Sequence, residues 1–295
     1  MSVKQPQRRK AGRSTSGRRP ASDASTKRLG YLLAMAVLSA ILYLVSAAHD
    51  QSSAYDRAEY VAGSLENVIT NPSLPEQIVH YKGMTVSFNS STHQPNWVAW
   101  ELLASETDGE NERELGFQTD DDVEGCANSD DYKRSGYDRG HMAPAGDMKW
   151  DADAMRQSFL MTNICPQAGD LNRGAWKKLE EKCRQRAVMD SALVVVCGPV
   201  FEQSEANERI GKTGVAVPRK FFKVVLSPYS TPPTAIGFIM PNGYVKGGMQ
   251  ACAVSVDSVE ALTGHDFFAS LPDDIEAKVE SQCDFNRWSN IRRRR

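Results

Sequence analysis

No two of the six cysteines (Cys126, Cys165, Cys183, Cys197, Cys252, Cys283) form a Cys-x-x-Cys pair, which speaks against a structural zinc knuckle or a thioredoxin-like site. A basic excess is missing as well. The formal charge is −2, and nine Lys or Arg against one acid, Asp23, fall in the first 28 residues, leaving about −10 on the remainder. An acidic folded part has no long-range attraction for a polyanion, so handling nucleic acid would require a local basic cleft or a bound cation. Nor does the folded part offer a basic platform interleaved with aromatics, the mark of a non-catalytic strand binder. Internal repeats are also absent. The even number of cysteines is compatible with disulfides in an oxidising compartment, Cys252 with Cys283 being the pairing to test, while Cys197 at the end of an apolar run reads as a buried thiol.

What is present begins with an address. Residues 1–28 are rich in Arg, Ser, Gly and Pro and read as a disordered basic cytoplasmic tail. Residues 29–48 carry no charge and as a helix would rise about 30 Å, enough to cross a bilayer. Basic residues before this run and His49-Asp50 after it put the N-terminus inside and the rest outside. A single-pass anchor with an extracytoplasmic (periplasmic) domain is expected. A cleaved signal sequence with secretion, or a mitochondrial presequence, is the alternative. Residues 49–73 read as a linker and 74–295 as the folded domain.

From Ile78 the pattern changes to short apolar runs between turn signals. Strands are expected at 84–88, 97–103, 192–200, 220–226 and 234–240, and helices at 151–159, 172–188, 255–262 and 273–282. A short helix within 52–70 would end at Asn71-Pro72. The polar, acidic stretch 104–134 is long for a loop, which marks it as functional or mobile. Strands on both sides of a central helix point to the α+β class with a mixed or antiparallel sheet, rather than a doubly wound parallel one. The 292–295 arginine run reads as a solvated tail.

The chemistry-bearing residues cluster between Tyr137 and Arg184. Asp138-Arg139-Gly140-His141 puts an acid, a guanidinium and an imidazole around one glycine, with Pro144 close behind. That composition suits a strand end or tight bend, from which a side chain can point into a cleft. An imidazole titrates near 6.5 and can take a proton from water near neutral pH. Downstream, Asn172, Trp176, Glu180 and Arg184 are spaced by four and share one helix stripe. Phosphodiester hydrolysis needs an activated water, charge relief on the phosphoryl oxygens and a stabilised leaving group. His141 can supply the first. A magnesium-like ion on the Asn172 carbonyl, with Glu180 behind it, can supply much of the rest. Arg139 and Arg184 can pair with phosphate. Trp176 is open between core packing and base stacking, and Asp138 between substrate contact and pairing with a neighbouring arginine.

This segment resembles the DNA/RNA non-specific endonuclease family. The family's Asp-Arg-Gly-His motif occurs as Asp138 to His141, and its Asn, Trp and Glu helix motif as Asn172, Trp176 and Glu180. Asn96-Trp97-Val98-Ala99-Trp100 looks like its early strand, and the likeness runs from about Leu74 to Asp284. The resemblance implies a ββα-metal fold using magnesium or manganese, which hydrolyses DNA and RNA to 5'-phosphorylated products. It implies His141 as general base, Asn172 as the direct metal ligand, Glu180 as its partner through water, and Asn163 as a supporting active-site amide. Arg139 and Arg184 match positions close to phosphate, and Arg113, ahead of Phe117 and Asp120, is the nearest match to a further arginine. A homodimer is a common family state. The competing readings are a phosphodiesterase of narrower specificity, such as a ribonuclease, and a non-catalytic nucleic-acid binding relative.

Overall fold

The computed structural model describes residues 65–112, 116–201 and 207–291. All of them belong to the larger of two compact units, Arg57–Arg295. The tail 1–28, the apolar run 29–48, Arg113 and the arginines 292–295 lie outside the described residues, and the expectations placed on them lie there too. Among the described residues no helix is long and apolar enough to cross a membrane.

In chain order the strands are β1 (Val68–Ile69), β2 (Gln77–His80), β3 (Thr85–Asn89), β4 (Gln94–Leu103), β5 (Asp138–His141), β6 (Ile164–Gln167), β7 (Ala192–Val200), β8 (Arg209–Ile210), β9 (Val215–Ala216), β10 (Lys220–Ser227), β11 (Thr234–Pro241), β12 (Ala253–Val254) and β13 (Asp266–Phe267). The α-helices are α1 (Ala152–Ser158), α2 (Lys177–Asp190), α3 (Val256–Thr263), α4 (Asp273–Glu280) and α5 (Phe285–Ser289). Seven strands form one sheet in the order β12-β11-β10-β7-β4-β3-β2, every neighbouring pair antiparallel. The sheet expected as mixed or antiparallel is antiparallel throughout.

Both faces of this sheet are covered, which explains why 192–200 reads as an unbroken apolar run. Leu193, Val195 and Cys197 of β7 join Trp100, Phe221 and Val225 in one core, while Val194 and Val196 join Trp97, Phe222 and Val224 in the other. Helix α2 seals the first face through Leu179, Cys183 and Ala187. Helices α3 and α4 seal the second through Val256, Val259 and Val279. Each such aliphatic side chain contributes roughly 1.5–3 kcal/mol when fully buried, so the face alternation fixes strand register firmly.

Three sequence expectations change. The linker 49–73 ends too late: Val68–Ile69 pairs with β13, and Asn71 is tied to the body through its backbone N–H to His265 Nδ1 (3.0 Å) and its side chain to the Thr263 carbonyl (2.9 Å). The end of the short helix expected within 52–70 is strand for the same reason, its remaining residues to 64 lying outside the described ones. All six cysteines carry free thiols, so Cys252 and Cys283 form no bridge. Cys165, Cys183 and Cys197 act as small core residues instead, and the cysteines cease to argue for an oxidising compartment.

Candidate active site

Residues 138–190 supply two paired strands, β5 and β6, with α1 between them in the chain and α2 after them. Strand β5 pairs with β6 from Asp138↔Gln167 to His141↔Ile164, and the chain then passes through a π-helical turn, Leu171–Trp176, into α2. Gly140 is required by this closure, because a Cβ there would collide with the buried Gln167 side chain. The expected helix 172–188 is therefore two pieces, with Gly174 leaving helical geometry at φ −106°, ψ −109°.

His141 ends β5. Its ring packs edge-on to Phe159, with centroids 4.9 Å apart, and tilted against Phe117 at 5.3 Å. Trp176 Nε1 donates to the His141 carbonyl at 3.3 Å, joining the start of the helix to the end of the strand. Trp176 is itself buried beside Phe221, so packing is its role. Asn163, expected as a supporting active-site amide, is wholly buried, and its amide is committed to the backbone. Its Oδ1 accepts from Ala143 N–H (2.9 Å), and its Nδ2 donates to the carbonyls of Ala143 (2.8 Å) and Ser158 (2.9 Å). It is a positioning residue that clamps the chain just after His141.

Asn172 stands at the first turn of the helical segment. Its Nδ2 donates to Asp138 Oδ2 at 3.1 Å, and Arg173 grips the same carboxylate through Nε (3.1 Å) and a terminal nitrogen (3.3 Å). Asp138 therefore orients the amide and pairs with an arginine, the structural alternative left open by sequence. With its nitrogen engaged, Asn172 presents its carbonyl oxygen. The Asn172 carbonyl and the Glu180 carboxylate each offer oxygen, a donor chemistry that fits a hard divalent cation rather than zinc or copper.

The arginines are more constrained than their sequence roles suggest. Arg139 donates through Nε (3.2 Å) and a terminal nitrogen (2.6 Å) to the Ser129 carbonyl, with its guanidinium over the rings of Phe117 (5.5 Å) and Tyr132 (5.7 Å). Arg184, expected on phosphate, instead pairs at 2.7 Å with Asp147, a wholly buried carboxylate whose other oxygen accepts from Trp100 Nε1 at 3.1 Å. A buried carboxylate without a counter-charge is costly, and that need holds one terminal nitrogen of the guanidinium on Asp147. Burial pushes the partly exposed Glu180 carboxyl up to about 7, against the opposing pull of Lys223 and Arg184.

Sequence reasoning passed over Lys223. It lies buried on β10 with its ammonium 4.5 Å from the Trp176 ring centre and 5.0 Å from that of Trp100. Burial pulls its pKa down, but the groups around it, the Glu180 and Asp147 carboxylates among them, raise it more, and the ammonium keeps its proton. The signal was available: a lone lysine in Phe221-Phe222-Lys223-Val224-Val225, within a strand apolar on both faces. Gln167 and Asp147 were passed over as well. The Gln167 amide is buried against Gly140 with no partner among the described residues.

With this geometry, comparison with known proteins becomes specific. Residues 62–274 match the family model for DNA/RNA non-specific endonucleases. The chain is 33% identical to the mitochondrial nuclease EXOG of Danio rerio over 235 residues, covering 73% of this chain and 68% of that protein. It is 35% identical to a nuclease of Nostoc sp. over 215 residues, covering 68% and 76%. The solved EndoG/EndoGI complex aligns with a TM-score of 0.63 at 28% identity, covering 67% of this chain and 88% of that one. Strand–strand–helix geometry, the Asp138–His141 motif and a family match across most of the folded residues agree: this chain belongs to the DNA/RNA non-specific endonuclease family, and so among the non-specific nucleases.

Proposed function

We propose that the chain cleaves DNA and RNA in a divalent-cation-dependent reaction that leaves 5'-phosphorylated products, with magnesium as the ion and manganese as its substitute. The observation that carries this reading is the Asp138–Asn172 hydrogen bond, which engages the Asn172 amide nitrogen on the strand that bears His141 and leaves its oxygen as the donor for an ion. A cation held there would neutralise the phosphoryl oxygens and stabilise the departing one. His141 takes the proton of the attacking water at its imidazole, and the Phe159 and Phe117 rings fix its plane. Asn163 and Trp176 hold the backbone around it. Glu180 orients solvent beside the Asn172 oxygen, and Arg139 contributes positive charge next to the scissile phosphate.

Incubating the purified chain with plasmid and with RNA, in magnesium and in chelator, tests the reading. Degradation of both substrates should stop in chelator, and His141→Ala should slow it by about 10²–10⁴-fold, the usual range for a general base. Chelator-resistant cleavage, a His141→Ala variant at full rate, or tight binding without turnover would overturn it; cleavage of RNA alone would replace it with the ribonuclease reading. End-labelling before and after phosphatase treatment reads the product termini. The mitochondrial relatives favour a compartment apart from the cytoplasm, as does the apolar run 29–48, whether retained as an anchor or removed. Light scattering tests the homodimer that the family habit suggests.

A further inference from the structure

On the face of the sheet opposite α2, helices α3 and α4 bring three carboxylates together. The ligand oxygens of Asp257, Glu260 and Glu280 lie within 4.8 Å of one another. They are graded in depth: Asp257 is exposed, Glu260 partly buried, and Glu280, the last residue of α4, is 95% buried. Clustered acids on a surface are ordinary and by themselves mean nothing. Glu280 is different, because its Oε1 is shut off from solvent and has no hydrogen-bond partner. Buried acceptors in folded proteins are nearly always satisfied, so an orphaned oxygen on a carboxylate clustered with two others needs a cation or a proton. Among the described residues, no ion pair involves any of the three. The charges that act most strongly on Glu280 are acidic: Glu260, Glu276, Asp257 and Asp266.

We propose that Asp257, Glu260 and Glu280 form a calcium-type divalent-cation site that clips the C-terminal end of α4 to α3, separate from the nucleolytic centre. The donors are oxygen only, which excludes a preference for zinc or copper. Three carboxylate oxygens all within 4.8 Å of one another can share one hard cation, and calcium accepts the irregular, carboxylate-rich geometry of such a set where magnesium demands a regular octahedron. Glu260 already gives Oε1 to the Phe267 N–H at 2.8 Å, which fixes its carboxylate and leaves Oε2 for the ion. Val256, Val259 and Val279 pack both helices onto the second core, whereas Leu179 and Cys183 of α2 belong to the first. An ion here therefore acts on how the C-terminal helices are held, not on phosphate chemistry. Burial and the surrounding acids push the Glu280 carboxyl up to about 9, so without a cation the site would keep a proton at neutral pH.

Thermal unfolding of the full chain, stripped by chelator and then titrated with calcium alone, decides between ion and proton. Calcium at 100 times its dissociation constant should raise the midpoint by roughly 5–10 °C in the wild type. Asn172→Ala should respond by the same amount, because its deletion touches only the other site. Glu280→Gln and Asp257→Asn should not respond. Without calcium, Glu280→Gln should melt close to the wild-type midpoint, since a neutral amide replaces a carboxyl that is itself protonated, so its silence cannot be blamed on misfolding. The proposal fails if the wild type gives no shift up to roughly 10 mM calcium, beyond the weakest usual protein sites. It fails equally if Glu280→Gln still responds, or if Asn172→Ala abolishes the response.

Discussion

Removing the Arg184 side chain separates two accounts of that residue. If it were chiefly a phosphate ligand, Arg184→Ala would weaken substrate binding and leave stability alone. The structure ties it to Asp147, whose side chain is 0% exposed, through a 2.7 Å ion pair of which the arginine side is 23% exposed. Deleting one partner of a buried pair costs about 3–5 kcal/mol, and water reaching the vacated side argues for the lower end, about 3 kcal/mol. For a domain of this size that is a fall of roughly 6–12 °C in unfolding midpoint. Urea unfolding of wild type, Arg184→Ala, Asp147→Asn and the double variant, all at neutral pH, gives the coupling directly. The double variant should recover part of the loss, because the uncompensated charge is gone. The pH dependence has a definite sign. Burial already pushes the Asp147 carboxyl up, and losing Arg184 pushes it further, so the deficit should shrink as pH falls through that raised value and the carboxyl takes up a proton. A stability loss below about 1 kcal/mol, accompanied by a tenfold or greater rise in KM, would refute the ion-pair account and restore the phosphate role.

Three further outcomes are expected. Asn172→Ala should lower turnover through loss of the cation and recover partly in excess manganese; equal metal affinity in variant and wild type by calorimetric titration would reject that role. Lys223→Met should move the acid limb of the kcat/KM profile to higher pH, because Lys223 is the largest influence holding the Glu180 carboxyl down from its position near 7. A limb that stays in place would show the two groups to be uncoupled. His265, buried and accepting from the Asn71 N–H, has its pKa pushed down to about 4 by burial. Its folded value lies below the unfolded 6.5, so stability present above pH 6.5 should be lost on acidification toward pH 4, by up to about 3 kcal/mol. His265→Gln should flatten that slope, and an unchanged slope would sink the assignment.

Much of this protein was legible in its residues. The strands at 192–200, 220–226 and 234–240 were readable because each is long, β-rich and bounded by turn residues, and helix α3 because Ser255 caps its start and Gly264, in the left-handed conformation, ends it. The Asp138–His141 motif and Asn172 were readable because motif order is local information, and the chemistry each side chain can perform is intrinsic to it. Boundaries were less legible: Val68–Ile69 becomes strand only by pairing with a segment nearly two hundred residues away.

Residue identity and spacing thus set which groups could act, and the family they belong to. Which group serves which partner was left to tertiary structure. Arg184 faces Asp147 rather than solvent, Asn163 spends its amide on Ala143, Lys223 sits against two tryptophans, and Glu280 is driven inward against other acids. The Arg184 and Asn163 pairings are selected by the cost of leaving a buried charge or amide unsatisfied, a cost that Glu280 still carries, and that cost exists only once the chain has folded and excluded water.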